Sequence, residues 1–328
     1  MKRKDVINII LLIILLAGGY FLHKRRTYTV TGSQFLLDTI VEITITSRNP
    51  ASNELLSRCF TLVDSLDQEL SYYQENSIIQ NINLSESDTV SITSGIHDML
   101  QIGRDLYLQS DSLYDLSVGA LTEIWDFEAG QVPLVVEIEQ ALSFVGYDKI
   151  LIRQDSLVRP AGVKLNLGSL AKGYIIDRLC NYLEKQEVLS AIINAGGDIR
   201  LFGQKKPLRI GIQHPREEKN EVIKVIRIKD AAIATSGDYE RSFFLDGVRY
   251  HHLLNPLTGY PAMNNISVTV IASTAVIADA YSTALFLLPA GKAIALADSL
   301  PGLEAIIFFE TTSGLSSRQT DGFADFLE

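Results

Sequence analysis

The chain has 328 residues, 47% apolar and 21% charged, with a net charge of −10, proportions that argue against wholesale disorder. Beyond residue 26 the balance is 23 bases to 38 acids, a net −15, which disfavours a sequence-independent nucleic acid binder. Two cysteines, Cys59 and Cys180, exclude a disulfide-dense scaffold, and five histidines without HExxH or CxxC spacing disfavour a zinc enzyme.

Residues 1–26 read as basic, apolar, basic. Lys2, Arg3 and Lys4 precede an apolar run over 6–22, broken only by Asn8, Gly18, Gly19 and Tyr20, and Lys24, Arg25 and Arg26 follow. The run is at the short end for a membrane span and longer than a signal-peptide core. No small-residue cleavage site follows it, and Leu16-Ala17-Gly18-Gly19 lacks a lipoprotein cysteine. An internal core helix would not carry bases at both ends. The segment predicts an uncleaved anchor, with the body, residues 27–328, outside the cytoplasm. Competing flanking charges leave its orientation weakly set.

Residues 29–46 alternate and are rich in β-branched side chains, predicting a hairpin with its turn near Gly32. Helical spacing predicts helices over 53–70, 94–110, 137–145, 170–185 and 274–288, with Ser94 as a possible cap. Strands are predicted over 190–194, 208–212, 222–228, 232–235, 268–272 and 304–309, and a strand pair over 149–158 around Asp155. The elements mix without a βαβ rhythm, which favours α+β with a largely antiparallel sheet.

Several clusters have the makings of a site. Asp279 and Thr283 lie four apart on one face of an apolar helix, with Ser282 beside them. A carboxylate and a hydroxyl suit a hard cation such as Mg2+. A local hydrogen bond or cap is the alternative for Asp279. Gly196-Gly197 follows a strand and would let backbone N–H groups approach a phosphate, or would simply form a tight turn. Neither a Rossmann fingerprint nor a P-loop is present. Lys172 falls in the first turn of a helix, where it opposes the dipole. It either faces an anion or is a solvated surface lysine.

His251 and His252 precede an Asn255-Pro256-Leu257-Thr258-Gly259 turn. They suit proton transfer, a structural role, or plain solvation, and as strand neighbours they make a poor metal pair. Tyr72-Tyr73, Leu113-Tyr114-Asp115 and Trp125 offer rings to stack on a heterocycle and a carboxylate to accept its hydrogen bonds. Core packing is the default for such rings.

Taken in order, the segments TGSQFLLDT, SYYQENSIIQNIN, YDLSVGALTEIWDF, LGSLAKGYIID, INAGGDIRLFG, ATSGDYERSFF, YHHLLNPLTGYP and VTVIASTAVIADAYSTAL resemble the ApbE family, the FAD:protein FMN transferases. The resemblance runs from about residue 31 to 316. It implies a T-fold-like α+β architecture with FAD and Mg2+ in a cleft between subdomains. It also implies a membrane-tethered, extracytoplasmic enzyme, on the periplasmic side of the inner membrane in a Gram-negative cell.

The resemblance assigns Asp279, Thr283, Ser282 and Ser169 to the metal. It assigns Thr31, Tyr73, Leu113, Tyr114, Asp115, Asn166, Lys172, Gly196, Gly197 and Leu254 to the cofactor pocket, and His252 to the role of base, so that His252 and Asp279 are the catalytic pair. Three positions depart from the family pattern: Thr31 for a methionine, Asn166 for an aspartate, and Asn255 for the aspartate of the turn.

The implied reaction transfers FMN from FAD to a Thr or Ser hydroxyl of an acceptor protein, such as a respiratory membrane complex subunit, releasing AMP. An FAD pyrophosphatase and a non-catalytic FAD-binding protein are the alternatives. No nucleic acid partner is expected.

Overall fold

The computed structural model describes residues 26–50, 52–217 and 221–328, together with Lys4, residues 11–13 and residues 15–16. The expected anchor over 1–26 therefore lies mostly outside the described residues. Among the described residues no helix is long and apolar enough to cross a membrane.

The elements in chain order are β1 (Tyr28–Leu36), β2 (Thr39–Ser47), α1 (Ser52–Leu70), α2 (Ile78–Leu84), β3 (Thr89–Ser91), α3 (Ser94–Gln109), α4 (Gly119–Ile124), α5 (Val135–Leu142), β4 (Leu151–Ile152), β5 (Ser156–Val158), α6 (Ala171–Glu184), β6 (Val188–Ala195), β7 (Asp198–Phe202), β8 (Leu208–Gln213), β9 (Val222–Ile228), β10 (Ala232–Gly237), β11 (Ser242–Leu245), β12 (Val248–His251), β13 (Ser267–Ala272), α7 (Ala275–Leu287), α8 (Ala290–Asp298), β14 (Glu304–Thr311) and β15 (Gly314–Gln319). An eight-stranded sheet in the order β1-β2-β6-β7-β10-β13-β14-β15 organises them, and every neighbouring pair is antiparallel. The architecture is α+β, as the mixed element order implied.

The sheet is covered on both faces, which is why β13 is buried at every position. One face packs against α1, α3, α6 and α7 through the main core, which includes Ile43, Ile45, Phe60, Leu179, Val268 and Phe286. The other face is closed by the β8–β9 ribbon and the carboxyl-terminal turns, through Ile226, Ile228, Ile306, Phe308 and Phe323. α7 is apolar nearly all round, and all its residues but Val276 and Ile277 are buried, as expected of a helix held in a core.

One turn differs from expectation. Gly32 pairs with Ile43 in mid-strand, and the chain reverses at Leu37-Asp38. The glycine is there for space: a Cβ at position 32 would stand 2.9 Å from Leu56 Cδ2 of α1. Helix α5 also starts earlier than its spacing suggested, at Val135. Residues 78–84, 119–124 and 290–298 are helices that the sequence reading did not mark.

Candidate active site

α6 and α7 cross so closely at Gly173 that a Cβ there would lie 2.4 Å from the Ala275 carbonyl oxygen. The Leu170 side chain makes no cap to α6. The Gly173 N–H in the first turn instead donates to Asp279 Oδ2, on α7, at 2.9 Å. In return, Asp177 of α6 accepts the Ala275 and Val276 N–H groups at 2.9 and 2.8 Å. Each helix thus supplies the carboxylate that satisfies the other's free amide donors. Asp279 is at once a capping group and a wall of a pocket of about 380 Å3.

Thr283, one turn on, lines the same pocket, as does Ser169 just before α6. Ser236 Oγ lies 2.7 Å from Ser282 Oγ and 3.1 Å from Thr283 Oγ1, tying β10 to α7. Ser282 is not part of the pocket lining, and its hydroxyl donates to the Asp279 carbonyl at 2.8 Å. Ser169 Oγ donates to the Tyr114 hydroxyl at 2.8 Å.

Burial, with the charge of Asp198 nearby, pushes the Asp279 pKa well up, against the opposing pull of Lys172 and of the Gly173 N–H. A carboxylate held in this state gains most from a cation. Its pocket neighbours Thr283 and Ser169 carry hydroxyl oxygens, so the donor set fits a hard divalent ion. Among the described residues no group of three or more His, Cys, Asp or Glu could hold a metal. Hydroxyl, carbonyl, water and substrate oxygens would have to complete the shell, as Mg2+ tolerates.

Lys172 Nζ lies 2.8 Å from Asp198 Oδ2, whose side chain is 6% exposed. That carboxylate holds the lysine pKa above its ordinary value despite burial. The lysine is therefore not a free surface cation, although a third of its side chain is exposed. Asp198 opens β7 after Gly196 and Gly197, whose φ angles of +64° and +106° make the turn. A Cβ on Gly196 would meet Thr39 Oγ1 at 2.4 Å. Of the expected phosphate donors, the Gly196 N–H goes to the Ile40 carbonyl at 3.2 Å and the Gly197 N–H to Asn194 Oδ1 at 2.9 Å. Both are spent on holding the turn, and Gly197 does not line the pocket.

The two histidines divide in role. His251 is buried, with Nε2 2.8 Å from the Ala262 carbonyl and Nδ1 accepting the Leu253 N–H at 3.3 Å. Those partners require the neutral ring protonated on Nε2. His252 faces the pocket, and its buried Nδ1 has no partner among the described residues. Burial, together with His251, Arg241 and Lys172, pushes its pKa down to about 3, so it is neutral near pH 7.

Tyr73, Leu113, Tyr114, Asp115, Asn166 and Leu254 also line the pocket. Tyr73 is 61% exposed, while Tyr114 is buried. Asp115 accepts the Ser117 N–H and Oγ–H at 2.7 and 2.6 Å and the Tyr147 N–H at 3.0 Å, so most of its capacity serves the fold. Asn166 accepts from the Gly168 N–H and donates to Thr122 Oγ1, at 2.8 and 3.0 Å.

Thr31 does not reach the pocket. Its hydroxyl pairs with Thr44 Oγ1 at 2.8 Å on an exposed stretch of β1, and Leu37, Asp38 and Thr39 represent the hairpin instead. Tip and Thr31 are about 20 Å apart along an extended strand. The sequence reading missed Asp38, Asp67, Asp198, Ser236, Glu240 and Arg241 as pocket residues. Four of them sit in the AGGD and ATSGDYER segments, polar runs leaving apolar strands, which was the available signal.

Comparisons with known proteins show the family and the fold. The ApbE family model matches residues 37–307. The FAD:protein FMN transferase of Treponema pallidum (strain Nichols) is 27% identical over 325 residues, covering 92% of this chain and 90% of that one. The FAD:protein FMN transferase of Klebsiella pneumoniae (strain 342) is 31% identical, covering 77% and 81%. Among solved structures, the ApbE protein of Thermotoga maritima superimposes with a TM-score of 0.81 at 32% identity, covering 92% of this chain and 100% of that one. The flavin transferase ApbE from Vibrio cholerae gives 0.82 at 26%, covering 92% and 99%. This chain belongs to the ApbE family.

Proposed function

We propose that this chain transfers FMN from FAD to a Thr or Ser hydroxyl of an acceptor protein and releases AMP. The observation that carries the reading is the convergence of Asp279, Thr283, Lys172 and His252 on one pocket, in a chain whose relatives include named FAD:protein FMN transferases. The acceptor hydroxyl oxygen forms a bond to the FMN-side phosphorus. The P–O bond to the AMP oxygen breaks, and the hydroxyl proton leaves for a base.

In this reading His252 is that base. Its ring is neutral near pH 7, and Nδ1 is unpartnered among the described residues. Burial is the main cause of its low pKa, and a diphosphate in the pocket would offset the smaller push from Arg241 and Lys172. Lys172, locked by Asp198, adds fixed positive charge beside the reacting phosphates. Asp279 and Thr283, with Ser169, would hold Mg2+, which when bound neutralises phosphate charge and polarises the phosphoryl oxygens. Tyr73 presents an exposed ring on which a flat heterocycle stacks.

The assay incubates the chain with FAD, Mg2+ and a candidate acceptor, and reads covalent flavin on the acceptor and AMP in solution. Both products support the transfer. Free FMN and AMP formed equally fast without acceptor would instead establish a pyrophosphatase. FAD recovered intact would leave a binding protein.

The basic–apolar–basic run over 1–26 supports a tether that holds a body spanning 27–328 at the extracytoplasmic face of a membrane. Acceptors would then be extracytoplasmic or membrane-bound, such as subunits of respiratory complexes. Protease accessibility in intact spheroplasts tests that side: a body protected from added protease would place it in the cytoplasm.

A further inference from the structure

Two cations line the pocket among the described residues, Lys172 and Arg241, and the reaction above uses only the first. Arg241, immediately before β11, donates to the Asp38 carboxylate at 2.7 Å. Its guanidinium also lies 5.7 Å from the centre of the Tyr73 ring. Asp38 sits at the tip of the β1–β2 hairpin, where Leu37 and Asp38 both take a φ of +56°. Non-glycine residues avoid that region, so the two-residue tip is strained and something must hold it. One restraint is Asp67, whose Oδ2 accepts the Leu37 N–H at 3.2 Å. The strained tip brings Asp38 to the pocket wall.

We propose that Arg241 is a positioning residue for the diphosphate of the dinucleotide, exchanging Asp38 for phosphate oxygens as the ligand enters. The inference rests on the flavin-transfer reading above. The two cations differ in what holds them. Lys172 is paired with a carboxylate that is 6% exposed, and withdrawing it would strand a buried charge. Arg241 and Asp38 have side chains 51% and 65% exposed, so each is readily hydrated and their pairing in water is weak. Arg241 is therefore the cation free to change partner.

A diphosphate presents adjacent anionic oxygens that match the planar guanidinium fork, which a single exposed carboxylate holds less firmly. Asp38, once released, returns to water. The Tyr73 ring gives the guanidinium a contact that does not depend on Asp38, so the side chain remains at the mouth after the exchange.

Calorimetric titration of the full chain in Mg2+, with ADP and with riboflavin as separate probes, tests the proposal. Arg241→Ala should weaken ADP about tenfold, as loss of a charge-assisted pair does, and leave riboflavin within about twofold. Arg241→Lys should recover only part of the ADP affinity, because it keeps the charge without the fork. Asp38→Asn should tighten ADP about threefold by removing the competitor. An unchanged melting temperature in each variant shows that the fold is intact.

ADP affinity unchanged in Arg241→Ala, or weakened in Asp38→Asn, overturns the inference, as does equal loss of both probes in a folded Arg241→Ala. Where wild type still flavinylates an acceptor, those results leave the transferase reading standing. A wild-type protein that binds neither FAD nor ADP overturns both.

Discussion

Asp177 and Asp279 are exchanged between two helices: each stands on one helix and accepts amide protons from the first residues of the other. The pair crosses at Gly173, where backbone meets backbone. This crossing sets the position of Asp279 and so joins the stability of the core to the chemistry of the pocket.

Gly173→Ala should therefore damage both. A methyl group placed 2.4 Å from the Ala275 carbonyl oxygen must push the helices apart. Overpacking of this kind costs about 1–3 kcal/mol. Urea denaturation should show that loss, and the surviving folded enzyme should bind Mg2+ more weakly, because the Gly173 N–H no longer orients Asp279.

Asp279→Asn preserves shape and removes the charge. Flavin transfer should fall by about a hundredfold or more, as expected when a preorganised charge is lost. Chelation of divalent ions by EDTA should abolish wild-type transfer and lower the melting temperature. Added Mg2+ should restore both, since a ligand of the folded state stabilises it by mass action. Asp279→Asn should show little Mg2+-dependent rise in melting temperature.

His252 has a folded pKa pushed down to about 3 from an ordinary 6.5. A depressed pKa contributes stability that is present above the unfolded value and is lost as pH falls toward the folded value. The melting temperature should thus decline between about pH 6.5 and pH 3, and His252→Asn should flatten part of that decline. The same shift keeps the ring unprotonated in the free enzyme, so kcat/KM should show no histidine-like fall near pH 6.5. His252→Asn should reduce transfer by about a hundredfold to ten-thousandfold.

Tyr73 and Asp115 should separate cleanly. Tyr73 is largely exposed, so Tyr73→Ala should leave the melting temperature unchanged and weaken FAD by about 1–3 kcal/mol, the range for base–aromatic stacking. Tyr73→Phe should restore the affinity. Asp115 is buried and accepts three protein hydrogen bonds. Asp115→Ala should cost about 2–4 kcal/mol of stability in a denaturant titration, by orphaning those donors.

Much of this protein was legible from local order. Apolar periodicity located α1, α3, α6 and α7 and the central strands, because a face buried along one element repeats at that element's own period. Their irregular alternation implied α+β. The helical spacing of Asp279 and Thr283 was enough to place both on one face, and both line the pocket. The charge and apolar pattern of residues 1–26 is likewise a property of sequence alone.

Tertiary structure decided the rest. Whether Gly32 was a turn or a close-packed strand residue depended on Leu56 of another element. Whether the Gly196-Gly197 amides were free depended on Ile40 and Asn194. Thr31 and Asp38 share one strand pair, yet only the tip reaches the pocket. Asp279 meets Gly173 across 106 residues, and Arg241 meets Asp38 across 203. Contacts at such separations leave no period in the chain, because the free energy that selects them comes from packing whole elements together.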